Sequence, residues 1–222
     1  METEIKLLFK DPEALLAVTS AEWFSDYCLD SEPKDSDKLI NTYYDTQDRR
    51  LNSRNAMIRV RMYESEDGDE RFEHTVKFGG GVVNGLHQRY EWNVPSDSRN
   101  FSFREFIDSV QDNDDPVELL KKALEGVEEE ELVPLCTVEF TRKVYTFGFG
   151  DSIMDACFDI GKIKSGDASE DICELELELT SGDVVDLKDM ADYIIEQTGC
   201  VTFDESKYQR ALRLYDSTHK EE

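Results

Sequence analysis

The chain is short of positive charge. Of its 222 residues, 25 are Lys or Arg and 51 are Asp or Glu, a net charge of −26 at pH 7. A nucleic-acid backbone or an anionic membrane would be repelled, so neither is expected as a partner. An anionic small molecule would need a local basic site within this acidic field. On its own, the surplus acid reads as a solubility feature. Cysteine is sparse and unpatterned: Cys28, Cys136, Cys157, Cys173 and Cys200 are odd in number and include no CxxC. Free, reduced thiols are therefore expected, with Cys157 and Cys173 acting as small hydrophobes in apolar strands. The three histidines, His74, His87 and His219, are scattered and lack metal-ligand spacing, so His87 reads as structural. No apolar run approaches the ~20 residues of a membrane span. The N-terminus is acidic from Glu2 and has no apolar signal region, which makes a soluble cytoplasmic protein the expectation. Gly79-Gly80-Gly81 is followed by no Gly-Lys-Ser/Thr, so it is a hairpin loop rather than a P-loop.

What is present suffices for a core: 39% of residues are hydrophobic and 10% aromatic. No repeat or linker divides the chain, so residues 1–222 are expected to form one domain. Period-two alternation predicts strands over 2–9, 39–45, 56–64, 71–78, 86–94, 135–149, 152–160 and 171–180. Asp11-Pro12-Glu13 opens a helix whose apolar stripe runs through Leu15, Leu16 and Trp23 to Tyr27. Further helices are expected over 102–112, 116–125, 187–198 and 205–215. Charged or glycine-bearing loops are expected over 31–38, 65–69, 79–85 and 161–170.

The polar faces of these strands segregate by charge. Glu2, Glu4 and Lys6 share one face of the first strand, and Glu174, Glu176 and Glu178 share one face of the last. Arg59 and Arg61 share a face in between. The opposite faces, with Ile58, Val60, Leu175 and Leu177, already supply a core. Water-facing charged rows are the ordinary outcome for an antiparallel sheet. A second arrangement fits the sorting of charge better: a closed barrel with a polar lumen. Carboxylates ~7 Å apart on one strand could hold hard cations such as Mg²⁺ or Mn²⁺. Paired arginines could clamp phosphate oxygens.

Ordered pieces across the whole chain then resemble one family. Glu2-Thr3-Glu4-Ile5-Lys6 matches its Glu-x-Glu-x-Lys signature. Tyr43-Tyr44-Asp45-Thr46, Ile58-Arg59-Val60-Arg61, Thr75-Val76-Lys77 and Gly85 to Glu91 follow. Arg142, Asp159, Ile172 to Leu179 and Ser206-Lys207 complete the set. Together they resemble the CYTH superfamily of triphosphate tunnel metalloenzymes, most of all its bacterial inorganic triphosphatase branch. The resemblance implies an α+β fold, an eight-stranded antiparallel β-barrel forming a tunnel with helices packed outside. It implies metal-dependent hydrolysis of inorganic triphosphate to pyrophosphate and phosphate, with Mg²⁺ or Mn²⁺ as cofactor. Glu2, Glu4 and Lys6 would be catalytic. Glu2, Glu4, Asp159, Glu174, Glu176 and Glu178 would supply the metal ligands, with the choice among the last three open. Lys6, Arg59, Arg61, Lys77, Arg89, Arg142 and Lys207 would bind the triphosphate, and Glu91 would orient Arg89 or a metal-bound water. The acid would then sit outside and the cations inside.

One position conflicts with simple parity. Arg142 alternates in step with Phe140 and Val144, which read as core, so a lumen-facing Arg142 requires a bulge or a shifted register. Other functions remain open at this level: a class IV adenylate cyclase, a thiamine or nucleoside triphosphatase, or a non-catalytic polyphosphate-binding module. The implied partner is inorganic triphosphate or another small molecule carrying a triphosphate. The branch often carries a second helical domain after the tunnel domain; with the chain stopping at Glu222, that domain is expected to be absent or removed.

Overall fold

In the computed structural model, which describes residues 1–64, 70–110 and 116–219, the alternating strands turn their apolar faces outward and their charged faces inward. The strands are β1 (Glu2–Leu8), β2 (Asp35–Thr46), β3 (Ala56–Glu64), β4 (Glu70–Val83), β5 (Leu86–Ser96), β6 (Leu132–Phe149), β7 (Ser152–Ser165), β8 (Ala168–Ser181) and the two-residue β9 (Val201–Thr202). Their order is β5-β4-β3-β2-β6-β7-β8-β1-β9, and β1 also pairs with β5. That pairing closes eight antiparallel strands into a ring. β1 is the closing strand: Glu2 to Ile5 face Arg89 to Leu86, while Glu4 to Leu8 face Glu178 to Glu174.

Helices cover the outward apolar faces. Helices α1 (Pro12–Ala17), α2 (Phe24–Tyr27) and α6 (Val184–Thr198) pack Leu15, Phe24, Leu187, Met190 and Ile194 against Ile5, Leu7, Leu175 and Leu177. On the other side, α4 (Phe103–Ser109) and α5 (Val117–Leu124) bury Phe106, Leu120 and Leu124 against Ile58, Val76 and Trp92. Each fully buried aliphatic side chain in these layers contributes about 1.5–3 kcal/mol. The short α3 (Arg50–Ser53) is held by Asp45, whose carboxylate accepts from the amides of Thr46, Leu51 and Asn52 at 2.7–3.0 Å. This fixes the turn that delivers Arg59 and Arg61. The last helix, α7 (Lys207–Thr218), starts at a capping box between Ser206 and Gln209 and lies against β6, β7 and β8.

Several elements differ from the sequence reading. The helix opened by Asp11 is not continuous: it breaks into α1, a 3₁₀ turn over Val18–Ser20, and α2. β2 begins inside the expected 31–38 loop, and β4 runs through the glycine triplet to Val83, taking up a bulge between Phe78 and Gly81. β7 and β8 continue through most of 161–170, leaving a two-residue turn. Ladder pairing with a neighbouring strand outweighs local turn propensity in each case. The expected turn over 65–69 and the Asp114-Asp115 break lie outside the described residues. All five cysteines are free thiols. No described helix is long and apolar enough to cross a membrane.

Candidate active site in the strand ring

The inward faces line a cavity of about 170 Å³ inside the ring. Seven cationic side chains reach it: Lys6, Arg59, Arg61, Lys77, Arg89, Arg142 and Lys207. Six carboxylates share it: Glu2, Glu4, Glu73, Glu91, Glu176 and Glu178. The interior is therefore nearly balanced in charge, rather than basic with the acid kept outside.

The carboxylates divide into two groups by their partners. Glu2, Glu4 and Glu178 each place an oxygen within 4.8 Å of the others. Burial and the neighbouring Glu4 and Glu91 raise Glu2 well above the usual carboxylate range, despite Lys77. Burial, Glu4 and Glu176 likewise raise Glu178. Glu4 is fully buried, a cost outweighed by Lys6, Lys77 and Arg89, which hold it at about 2. Each member also has a cation beside it: Lys77 at 2.8 Å from Glu2, Lys6 and Arg89 at 3.0 Å from Glu4, and Arg142 at 3.2 Å from Glu178. The other group is saturated by cations. Asp159 receives both ends of the Arg142 guanidinium at 2.7 Å, and Lys207 at 2.8 Å. Glu176 is bonded by Lys6 and Arg142, and by Lys207 at 2.8 Å. Lys6, Lys207 and Arg142 hold Glu176 well below its ordinary range against the cost of burial. Glu174 is bonded by Arg210 and by Lys207 at 2.7 Å. Asp159 and Glu174 are fully buried and do not line the cavity. Of Glu174, Glu176 and Glu178, it is Glu178 that joins Glu2 and Glu4.

The cations are positioned from several directions. Lys77 lies 2.8 Å from Glu2 and 2.9 Å from Glu91, and Arg89 lies 3.0 Å from Glu4. Arg59 donates to Thr75 at 2.8 Å, and Arg61 donates to Asn41 at 3.0 Å. The Nε groups of Arg59 and Arg89 are buried with no hydrogen-bond partner. Arg142 reaches the interior without a bulge next to it. Phe140 itself faces the lumen, with Lys207 Nζ 5.2 Å and Arg142 Cζ 5.7 Å from its ring centroid. Phe140 is core, as its parity indicated, and also a cation–π floor of the cavity. Gly161 lies directly opposite, and a Cβ there would come within 2.4 Å of Phe140 Cβ. Arg210, Asn41 and Glu73 were not singled out from the sequence. Asn41 and Glu73 carry the alternation signal that could have found them. Arg210, behind Glu174, carries none.

His87 lies beside this network without lining it. It is buried, its Nε2 meets the Phe203 carbonyl at 3.3 Å, and burial with the nearby Lys6 lowers it to about 4. The unfolded chain therefore binds this proton first, and stability falls as the pH drops from about 6.5 through about 4. Between those limits wild type should lose roughly 3 kcal/mol relative to His87→Gln. Urea unfolding of both proteins at pH 7 and pH 4 measures the difference; equal losses would remove His87 from the acid response. The depressed Glu4 and Glu176 act below this window, adding stability above about 4.5 that is lost under stronger acid.

The CYTH domain profile matches residues 1–212. The inorganic triphosphatase of Haemophilus influenzae is 30% identical over 176 residues, covering 79% of this chain and 46% of that protein. The chain thus spans less than half the length of this relative. Among solved structures, the Hippeastrum protein HpAC1, an adenylyl cyclase candidate with a dominant triphosphatase activity, superposes with a TM-score of 0.65 at 18% identity over 96% of each chain. The PH1819 protein of Pyrococcus horikoshii superposes with a TM-score of 0.55 at 12% identity, over 96% of this chain and 99% of its own. These two share the fold. Because the profile match runs from β1 into the helix that carries Lys207, and so takes in every strand of the ring, the chain belongs to the CYTH family.

Proposed function

We propose that this protein hydrolyses inorganic triphosphate to pyrophosphate and phosphate inside the strand ring, with Mg²⁺ or Mn²⁺ as cofactor. The observation that carries the reading is the meeting, in one cavity, of seven cations with the carboxylate trio, two of the guanidiniums still holding unpartnered buried Nε donors. Buried donors without a partner are costly, and phosphate oxygens would satisfy them. The trio fits a hard divalent cation: three oxygen donors converge, and burial with the neighbouring carboxylates holds two of the acids above their normal range. Such a cation would supply charge neutralisation to the phosphate oxygens.

The chain's own residues then perform the rest. Arg59, Arg61, Lys77 and Arg89 grip one side of the triphosphate, and Lys6, Arg142 and Lys207 the other. Phosphoryl transfer asks mainly for such positioning and charge stabilisation. Water attacks the terminal phosphorus, the bridging P–O bond breaks, and pyrophosphate leaves against these cations. Glu2, beside Glu4 on the charged face of β1, accepts the proton of the attacking water.

An organic triphosphate is the second reading. Beside Gly79 to Gly81 lies a further cavity of about 260 Å³ that shares Met57, Lys77, Arg89 and Tyr208 with the first. Asn52, Asn55 and Gln209 line it, with no acidic residue, which leaves room for an uncharged group. Phosphate release from tripolyphosphate and from ATP, each with Mg²⁺ or Mn²⁺, separates the readings. Fast cleavage of tripolyphosphate with slow ATP turnover supports the first. Cyclic AMP and pyrophosphate from ATP, with no tripolyphosphate cleavage, would replace it with a cyclase.

A further inference from the structure

Glu73 stands apart from the other carboxylates of the cavity. It is not in the trio that fits a metal, and its contacts are long: 3.4 Å to Arg59 and 3.7 Å to Arg61. Glu2, Glu91 and Asp159 each have a closest cation contact of 2.7–2.9 Å, although Glu91 also meets Arg59 at 3.7 Å and Glu2 meets Arg89 at 3.8 Å. Neither arginine depends on Glu73 for its orientation. Arg59 is anchored by Thr75, itself bonded to Asn93 at 2.7 Å, and Arg61 by Asn41. The Glu73 side chain is 22% exposed, more than either arginine it faces. It also borders a second cavity with Tyr63, Arg71 and Phe72, so it has solvent to turn into.

We propose that Glu73 is a built-in competitor for the phosphate seat between Arg59 and Arg61, holding that seat in the empty protein and returning to it as product leaves. This rests on the triphosphate reading of the same cavity. A carboxylate close to a bound phosphate repels it, and one weakly held at a cavity edge yields to a more highly charged ligand at little cost. A triphosphate, gripped by all seven cations, displaces Glu73. Pyrophosphate, with fewer contacts, does so less well, so Glu73 discriminates substrate from product.

Titration calorimetry with pyrophosphate in the presence of Mg²⁺, on wild type, Glu73→Gln and Glu73→Asp, tests this directly. Steady-state hydrolysis of tripolyphosphate accompanies it. Glu73→Gln should bind pyrophosphate about tenfold more tightly. Its KM should fall, and its kcat should fall or hold rather than rise. Glu73→Asp should resemble wild type. Glu73→Ser repeats the test if the glutamine variant folds poorly. A glutamine variant that binds pyrophosphate no more tightly than wild type overturns this inference alone. Wild type that binds neither pyrophosphate nor tripolyphosphate overturns the triphosphate reading, and this inference with it.

Discussion

Glu4→Gln should lower tripolyphosphate hydrolysis at least about a hundredfold while the protein stays folded, since even partners one shell out from a metal commonly cost 10–100-fold. Glu4 is the member of the trio that the surrounding cations keep charged, with its carboxyl at about 2. Glutamine preserves shape and one acceptor oxygen, but it removes the charge that draws a divalent ion between Glu2 and Glu178. It also leaves Arg89 and Lys6 each without one close partner. Anion binding without metal should therefore hold or strengthen as turnover collapses. The checks are initial rates across a Mg²⁺ or Mn²⁺ titration, and calorimetry with tripolyphosphate in chelator. Turnover near wild type, at unchanged metal dependence, would remove Glu4 from the metal site.

Lys207→Ala should be the most destabilising single change among the cations of the cavity. Its ammonium meets Asp159, Glu174 and Glu176 at 2.7–2.8 Å, all three almost wholly buried. Removing one partner of a buried ionic cluster costs about 3–5 kcal/mol, because the opposite charge stays behind without compensation. For a chain of this size the melting temperature should fall by roughly 10 °C. The loss has a direction with pH. Glu176, held below its ordinary range in part by Lys207, loses that support, so the deficit is full while it is ionised and is relieved as it is protonated. The deficit should be full at pH 7 and shrink below about pH 4.5, as thermal unfolding at pH 7 and pH 4 would show. A deficit independent of pH would point to lost helix packing instead of uncompensated charge.

Much of the cavity was legible because a strand reports its faces directly. Glu2, Glu4, Lys6, Arg59, Arg61, Lys77 and Arg89 fall on one parity of their strands, and the ring turns that parity inward. Parity could not rank the glutamates of β8, which share a face. Their roles follow from which cation stands opposite, and Arg210 and Lys207 arrive from α7, remote in sequence. Phe140 is core, as its spacing indicated, but it also lines the cavity. An apolar side chain on the lumen face has the spacing of core, and only α7 above it shows that it floors the cations. The glycine triplet was read locally as a loop, yet β5 pairs with its last member, Gly81, across a bulge at the first two.

The strand that closes the ring also carries the signature acids. Its partners lie some 80 and 170 positions away, at Arg89 and Glu176. Contacts of such sequence separation form late and slowly, after the loops between them have been closed. In a chain where β1 has not yet docked, β2 to β8 can already be paired, with their arginines in place, while Glu2 and Glu4 are elsewhere. Such a species would hold a polyanion and do nothing to it. On the proposed function, docking of the seam is then the step that would turn an anion trap into a catalyst, and a ligand bridging Glu4 to Glu178 would lock it shut.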